Sequence, residues 1–115
     1  MDKTDKVYLL DILDAIEKIT DFIKNTDFTQ FEQDVMKQDA VIRRFEIIGE
    51  ASGKLSKNFQ EKYPKLPFRE SKSMRNLLIH DYSEVDLKDV WTTIKNDLPV
   101  LKTQLQEILA RQKLI

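Results

Sequence analysis

The stretch Leu9-Leu10-Asp11-Ile12-Leu13-Asp14-Ala15-Ile16-Glu17-Lys18-Ile19-Thr20-Asp21-Phe22-Ile23 decides the fold class. Leu9, Ile12, Ile16, Ile19 and Ile23 recur at intervals of 3, 4, 3 and 4, which draws one apolar stripe along an α-helix and puts the acids and Lys18 on the rest of its surface. The period predicts a first helix over about residues 4–24. The remainder of the chain agrees with it. Two Gly and three Pro in 115 residues leave too few turn residues for a β-rich protein, which needs them every eight to twelve positions. The expected class is all-α, with residues 1–115 forming a single domain and one continuous core.

Downstream, Asn25 to Phe28 reads as a turn. Thr29-Gln30-Phe31-Glu32 has the form of a capping box, and Phe31, Val35, Ile42, Phe45, Ile48, Leu55 and Phe59 follow at near-helical spacing. These predict one long second helix to about residue 61. Gly49 and Gly53 inside it mark a bend or the close approach of another backbone, an arrangement that suits a dimer. Tyr63-Pro64-Lys65-Leu66-Pro67 ends the pattern, because proline lacks a backbone donor and disfavours helix in the residue before it. A short third helix is expected over about residues 68–81. Asp86 is placed to cap a fourth stripe of Leu87, Val90, Trp91, Ile94, Leu98, Leu101, Leu105 and Ile108. Pro99 within that stripe predicts a pronounced kink, or else a split with Asp97 as the new cap. Together these elements predict an antiparallel, up-and-down four-helix bundle.

Composition narrows the function. No Cys is present, so thiolate zinc sites, iron–sulfur clusters and disulfide frameworks are excluded, and no metal or other cofactor is expected. No apolar run approaches the roughly 18–20 residues of a membrane span. The opening Met1-Asp2-Lys3-Thr4-Asp5-Lys6 lacks the form of a signal peptide. The expectation is a cytoplasmic protein. Net charge is −1, but it is unevenly spread. Residues 1–42 carry five Lys against ten acids, whereas residues 43–75 carry nine Lys and Arg against four Glu, so a polyanion should meet the middle third.

One polar cluster stands out within that balance: Arg75-Asn76-Leu77-Leu78-Ile79-His80-Asp81-Tyr82, with the only His of the chain. On a helix Asn76 and His80 are i, i+4 neighbours, and Arg75 is one step round with a side chain long enough to reach them. An imidazole can take or give a proton near neutral pH, and a guanidinium can stabilise charge building on phosphate oxygens. RNA brings its own nucleophile, the ribose 2′-hydroxyl. The pair therefore suits phosphodiester cleavage without a metal. That reaction needs both a base and an acid, and one His per chain supplies both only if a two-fold dimer brings two copies together. Structural roles compete with these readings. His80 can cap a helix end, Tyr82 can anchor the bundle, and Arg43, Arg44, Lys54, Lys57, Lys62, Lys65 and Lys72 can form a solvated face instead of an RNA-facing one. Glu46 and Glu50 fit either salt bridges with basic neighbours or a polar wall of the site.

Arg75-x4-His80-x-Tyr82 resembles the R-x4-H-x-Y signature of the HEPN superfamily, in particular its HepT-like toxins encoded beside minimal nucleotidyltransferases. Ile42-Arg43-Arg44-Phe45-Glu46-Ile47-Ile48-Gly49-Glu50-Ala51 is similar to that family's second-helix segment, and Val85-Asp86-Leu87 through Asp97-Leu98-Pro99 to its C-terminal pattern. The likeness covers about residues 7–109. It implies a dimeric helical bundle whose two motifs face one another across a cleft, with Arg75 and His80 as the catalytic pair of a metal-independent endoribonuclease and Asn76 assisting. Arg43, Arg44 and Lys72 become candidate RNA contacts. It further implies a nucleotidyltransferase antitoxin that transfers AMP to Tyr82. The alternative carried by the same resemblance is a nucleotide- or substrate-binding partner subunit that cuts nothing.

Overall fold

The computed structural model describes residues 1–66, Phe68 and residues 86–113, and every regular element among them is helical. The first helix, α1, spans Lys3–Phe22, capped by Asp2, whose carboxylate accepts from Thr4 N. Leu9, Ile12, Ile16 and Ile19 are buried as the stripe predicts, with Ile23 buried just past the helix end. Five apolar side chains withdrawn from water contribute about 1.5–3 kcal/mol each, before the entropy of ordering them.

The second stripe is three helices instead of one. After a turn in which Asn25 takes the left-handed conformation (φ 58°), a residue type that tolerates it, α2 occupies Phe28–Gln33. Its capping box lies two residues earlier than the sequence pattern suggests. Asp27 Oδ1 accepts from Gln30 N at 2.8 Å, and Gln30 Oε1 accepts from Asp27 N at 2.9 Å. Asp34 then turns extended (φ −109°, ψ 92°) and caps α3, Val35–Gly53, through Lys37 N. The corner is closed by side chains. Gln38 Nε2 donates to the carbonyls of Phe31 and Glu32, both at 2.9 Å, adding a second donor to Phe31 O, which already accepts from Asp34 N, and capping Glu32 O at the end of α2. Val35, which the period places in the core, is 64% exposed there. Val41, Phe45, Ile48 and Ala51 form the buried stripe of α3.

Gly53 is the last residue of α3, and a Cβ at that position would meet nothing within 4 Å. It ends a helix and marks no close approach among the described residues. Ser56 caps the short α4, Lys57–Lys62, where Phe59 is buried. The predicted third helix, over about residues 68–81, falls almost wholly outside the described residues.

The C-terminal stripe begins where expected, with Asp86 Oδ1 accepting from Lys88 N at 2.8 Å at the start of α5, Leu87–Thr92. It runs unbroken into a π-turn, Thr93–Asp97, and then α6, Leu98–Lys113. Pro99 is the second residue of α6. In a regular helix its ring would collide with the carbonyl four residues back and leave that oxygen without a donor. The widened turn just before it, closed by Leu98 N donating to Thr93 O, absorbs this misfit. The helix neither splits nor needs Asp97 as a new cap.

The described helices share one core. α1 packs chiefly on α3 and also on α6, and α2 packs on α3. Trp91 of α5 ties in the α2 corner, its ring 5.3 Å from that of Phe31 and 6.0 Å from that of Phe28. A polar tie joins elements distant in sequence. Asp5 in α1, only 4% exposed, accepts from Ser56 N at 2.8 Å and from Ser56 Oγ at 2.6 Å, while Ser56 Oγ accepts from Phe59 N. Asp5→Ala removes the acceptor for two part-buried donors and is expected to cost about 2–3 kcal/mol, since hydrogen bonds to a charged group contribute about 1.5–3 kcal/mol. Urea unfolding checks it. A loss under about 0.5 kcal/mol would mean that water replaces the carboxylate freely.

Candidate active site

Arg75, Asn76, His80, Tyr82 and Lys72 all lie outside the described residues. What the structure describes is how the chain leads into and out of their segment. On the entry side Leu66 is buried and Phe68 packs against the core. On the exit side Asp86 caps α5, and Val90, one turn on, is completely buried. The same hydrophobic cluster holds both flanks. The polar segment is therefore spliced between two fixed points of one core.

Of the two arginines read from α3, Arg43 has carboxylate partners. Its Nη1 is 3.2 Å from Glu46 Oε2 and 3.9 Å from Glu50 Oε1, all three side chains being well exposed. Glu46 and Glu50 therefore act as salt-bridge partners of a basic neighbour, the first of the two roles open to them. Such exposed pairs contribute about 0–1 kcal/mol, so a phosphate could displace the carboxylates at little cost. Arg44 is half-buried, and helical spacing puts it on the flank of α3 that carries Ala51 and the partly buried Ile47.

Sequence reasoning missed a second polar locus. The turn after α4 and the C-terminal half of α6 form a cleft of about 410 Å³ whose lining includes Lys62, Tyr63, Lys65, Gln104, Glu107 and Arg111. The charge count over residues 43–75 pointed to Lys62 and Lys65. No local signal joined them to Gln104 and Arg111, some forty residues later. Among the described residues, no group of three or more His, Cys, Asp or Glu is arranged to hold a metal ion, and no helix is long and apolar enough to cross a membrane.

Comparison with known proteins fixes the family. The profile described as "Ribonuclease HepT-like" matches residues 12–108, a range that contains the whole Arg75-to-Tyr82 cluster and most of the core. The chain belongs to the HepT-like ribonuclease family. Similar proteins cover nearly all of it. This HepT-like chain is 43% identical over 108 residues to "Probable ribonuclease HepT" of Thermococcus cleftensis, covering 94% of this chain and 98% of that one. It is 41% identical over 104 residues to "Putative RNase MJ1216" of Methanocaldococcus jannaschii, covering 90% and 86%. With "Putative RNase TTE0752" of Caldanaerobacter subterraneus it shares 40% identity over 111 residues, covering 96% and 99%. No solved structure matches. The resemblance first read from the R-x4-H-x-Y motif and its flanks is the family found, and its enzyme class is ribonuclease.

Proposed function

We propose that this HepT-like chain is a metal-independent endoribonuclease, active as a homodimer of up-and-down four-helix bundles, with Arg75 and His80 from both subunits lining one cleft. The observation that carries the reading is that the family match spans the cluster together with the core that brackets it. In the proposed reaction one His80 imidazole takes the proton of a ribose 2′-hydroxyl, and that oxygen attacks the adjacent phosphorus. The bond to the 5′-oxygen breaks, and the second His80, protonated, gives its proton to the departing alkoxide. Arg75 holds the phosphate oxygens as charge builds on them, and Asn76 adds a neutral donor. Arg43, Arg44 and Lys72 would contact RNA phosphates outside the reacting centre.

The test is RNA cleavage by the purified protein in excess EDTA with analysis of the termini. A 2′,3′-cyclic phosphate and a 5′-hydroxyl are expected. A 3′-hydroxyl terminus, or activity only with added metal, overturns the mechanism. Complex formation with a nucleotidyltransferase and no cleavage by any preparation would assign the binding-subunit role instead.

The reading extends to control within a cytoplasmic toxin–antitoxin pair, in which a minimal nucleotidyltransferase antitoxin adenylylates Tyr82. The phosphate so added would repel RNA phosphates and occupy their space. Tyr82→Phe keeps the ring and removes the acceptor oxygen. Cells producing this variant with the antitoxin should lose growth as if no antitoxin were present, and full neutralisation of Tyr82→Phe would exclude modification at this residue.

A further inference from the structure

The cleft between the α4 exit turn and α6 combines features that a bare surface depression lacks. Gln104, Glu107 and Arg111 present one face of α6 to it at i, i+3 and i+7 spacing, opposite Lys62, Tyr63 and Lys65. Three cations meet one carboxylate. Among the described residues, none of Lys62, Lys65 and Arg111 is in an ion pair, and the lining carries an excess of positive charge. Tyr63 is held against Phe59, ring centroids 4.9 Å apart, with Lys62 Nζ 5.6 Å from its own centroid.

These demands select a ligand chemistry. An inorganic anion answers the cations and leaves the Tyr63 ring uncovered, whereas an apolar ligand leaves the cations unanswered. A nucleoside phosphate meets all of them. Its phosphate oxygens suit the ammonium and guanidinium groups, and the flat base can lie on the Tyr63 ring. The volume lies within the usual range of small-ligand sites, about 300–1,000 Å³. In sequence, Leu66 of the cleft wall precedes Arg75 by only nine residues.

We infer that the Lys62–Lys65–Arg111 cleft is a nucleoside-phosphate subsite for single-stranded RNA, built from residues other than Arg75 and His80; this builds on the ribonuclease reading. The probes are AMP, inorganic phosphate and a short 2′-O-methyl oligonucleotide, which lacks the attacking hydroxyl. Each is titrated against the full-length wild type and the double variant Lys65→Glu/Arg111→Glu, both first shown to be folded by circular dichroism. The charge reversals are expected to weaken oligonucleotide binding at least about tenfold and to lower its salt slope by about 1.4, the value for two lost single-strand phosphate contacts. Tight binding of AMP by itself would identify a free nucleotide as the ligand, and binding of the oligonucleotide only would identify an RNA link; either upholds the subsite. Unchanged oligonucleotide and AMP affinity in the double variant overturns it, as does inorganic phosphate binding as tightly as AMP. Cleavage in EDTA, measured in parallel, separates the two readings. Cleft-dependent binding without cleavage removes the ribonuclease reading alone, and normal cleavage with binding indifferent to the cleft removes the subsite alone.

Discussion

Alanine at His80 is expected to slow RNA cleavage in excess EDTA by roughly 100- to 10,000-fold, the range over which a positioned acid or base contributes. Arg75→Ala should cost roughly 100- to 1,000-fold by removing donors from the charged phosphorane-like transition state. The proposed dimer makes a sharper demand. If base and acid are His80 from two subunits, a mixed dimer of wild type and His80→Ala lacks one of them. After subunit exchange of equal amounts, only about one quarter of the dimers carry two intact copies, so activity should fall to about half of what simple dilution gives. Activity that survives both substitutions would remove Arg75 and His80 from the chemistry. Activity that tracks dilution alone would place a complete site within each subunit.

The parts of this molecule legible in its sequence are those whose information is local. α1 could be read because its stripe runs uninterrupted for more than four turns, and Asp86 because a cap is defined by the residues that follow it. The second stripe misled for a physical reason. Phe31 and Val35 are one helical turn apart in sequence, so the period passes straight through Asp34, where the backbone is extended and a new helix begins. What holds that corner is the Gln38 amide on the carbonyls of Phe31 and Glu32, a contact between side chain and backbone that no hydrophobic count records. The π-turn is similar. Proline announces a misfit, but whether a helix kinks, splits or widens is decided by packing on both sides, here by Val90, Ile94, Leu98 and Leu101, all buried. The candidate catalytic motif was readable because its residues fall within eight positions. The Lys62–Arg111 cleft was not, since two segments far apart in sequence meet there only through the tertiary fold.

The largest loss of stability is expected from Phe45→Ala, at about 3–5 kcal/mol, because the substitution removes a side chain that is 2% exposed and leaves a cavity its neighbours cannot fill. A domain of this size is stable by about 5–15 kcal/mol in all, so one such change uses up a third or more of the margin in the typical case. Met36→Ala, on the same helix but at a position 84% exposed, is the control and should stay within about 0.5 kcal/mol. Urea denaturation at one fixed protein concentration compares the three proteins, since dimer formation would make the midpoint depend on concentration. The consequence for function follows from where the segment of Arg75 and His80 is tied. Leu66 before it and Val90 after it belong to the same cluster as Phe45. A loosened core should therefore reduce cleavage at temperatures below the global unfolding transition, while the Met36 variant keeps its activity until it melts. Loss of activity that coincides with melting in the Phe45 variant would show that the segment is held by contacts independent of this core.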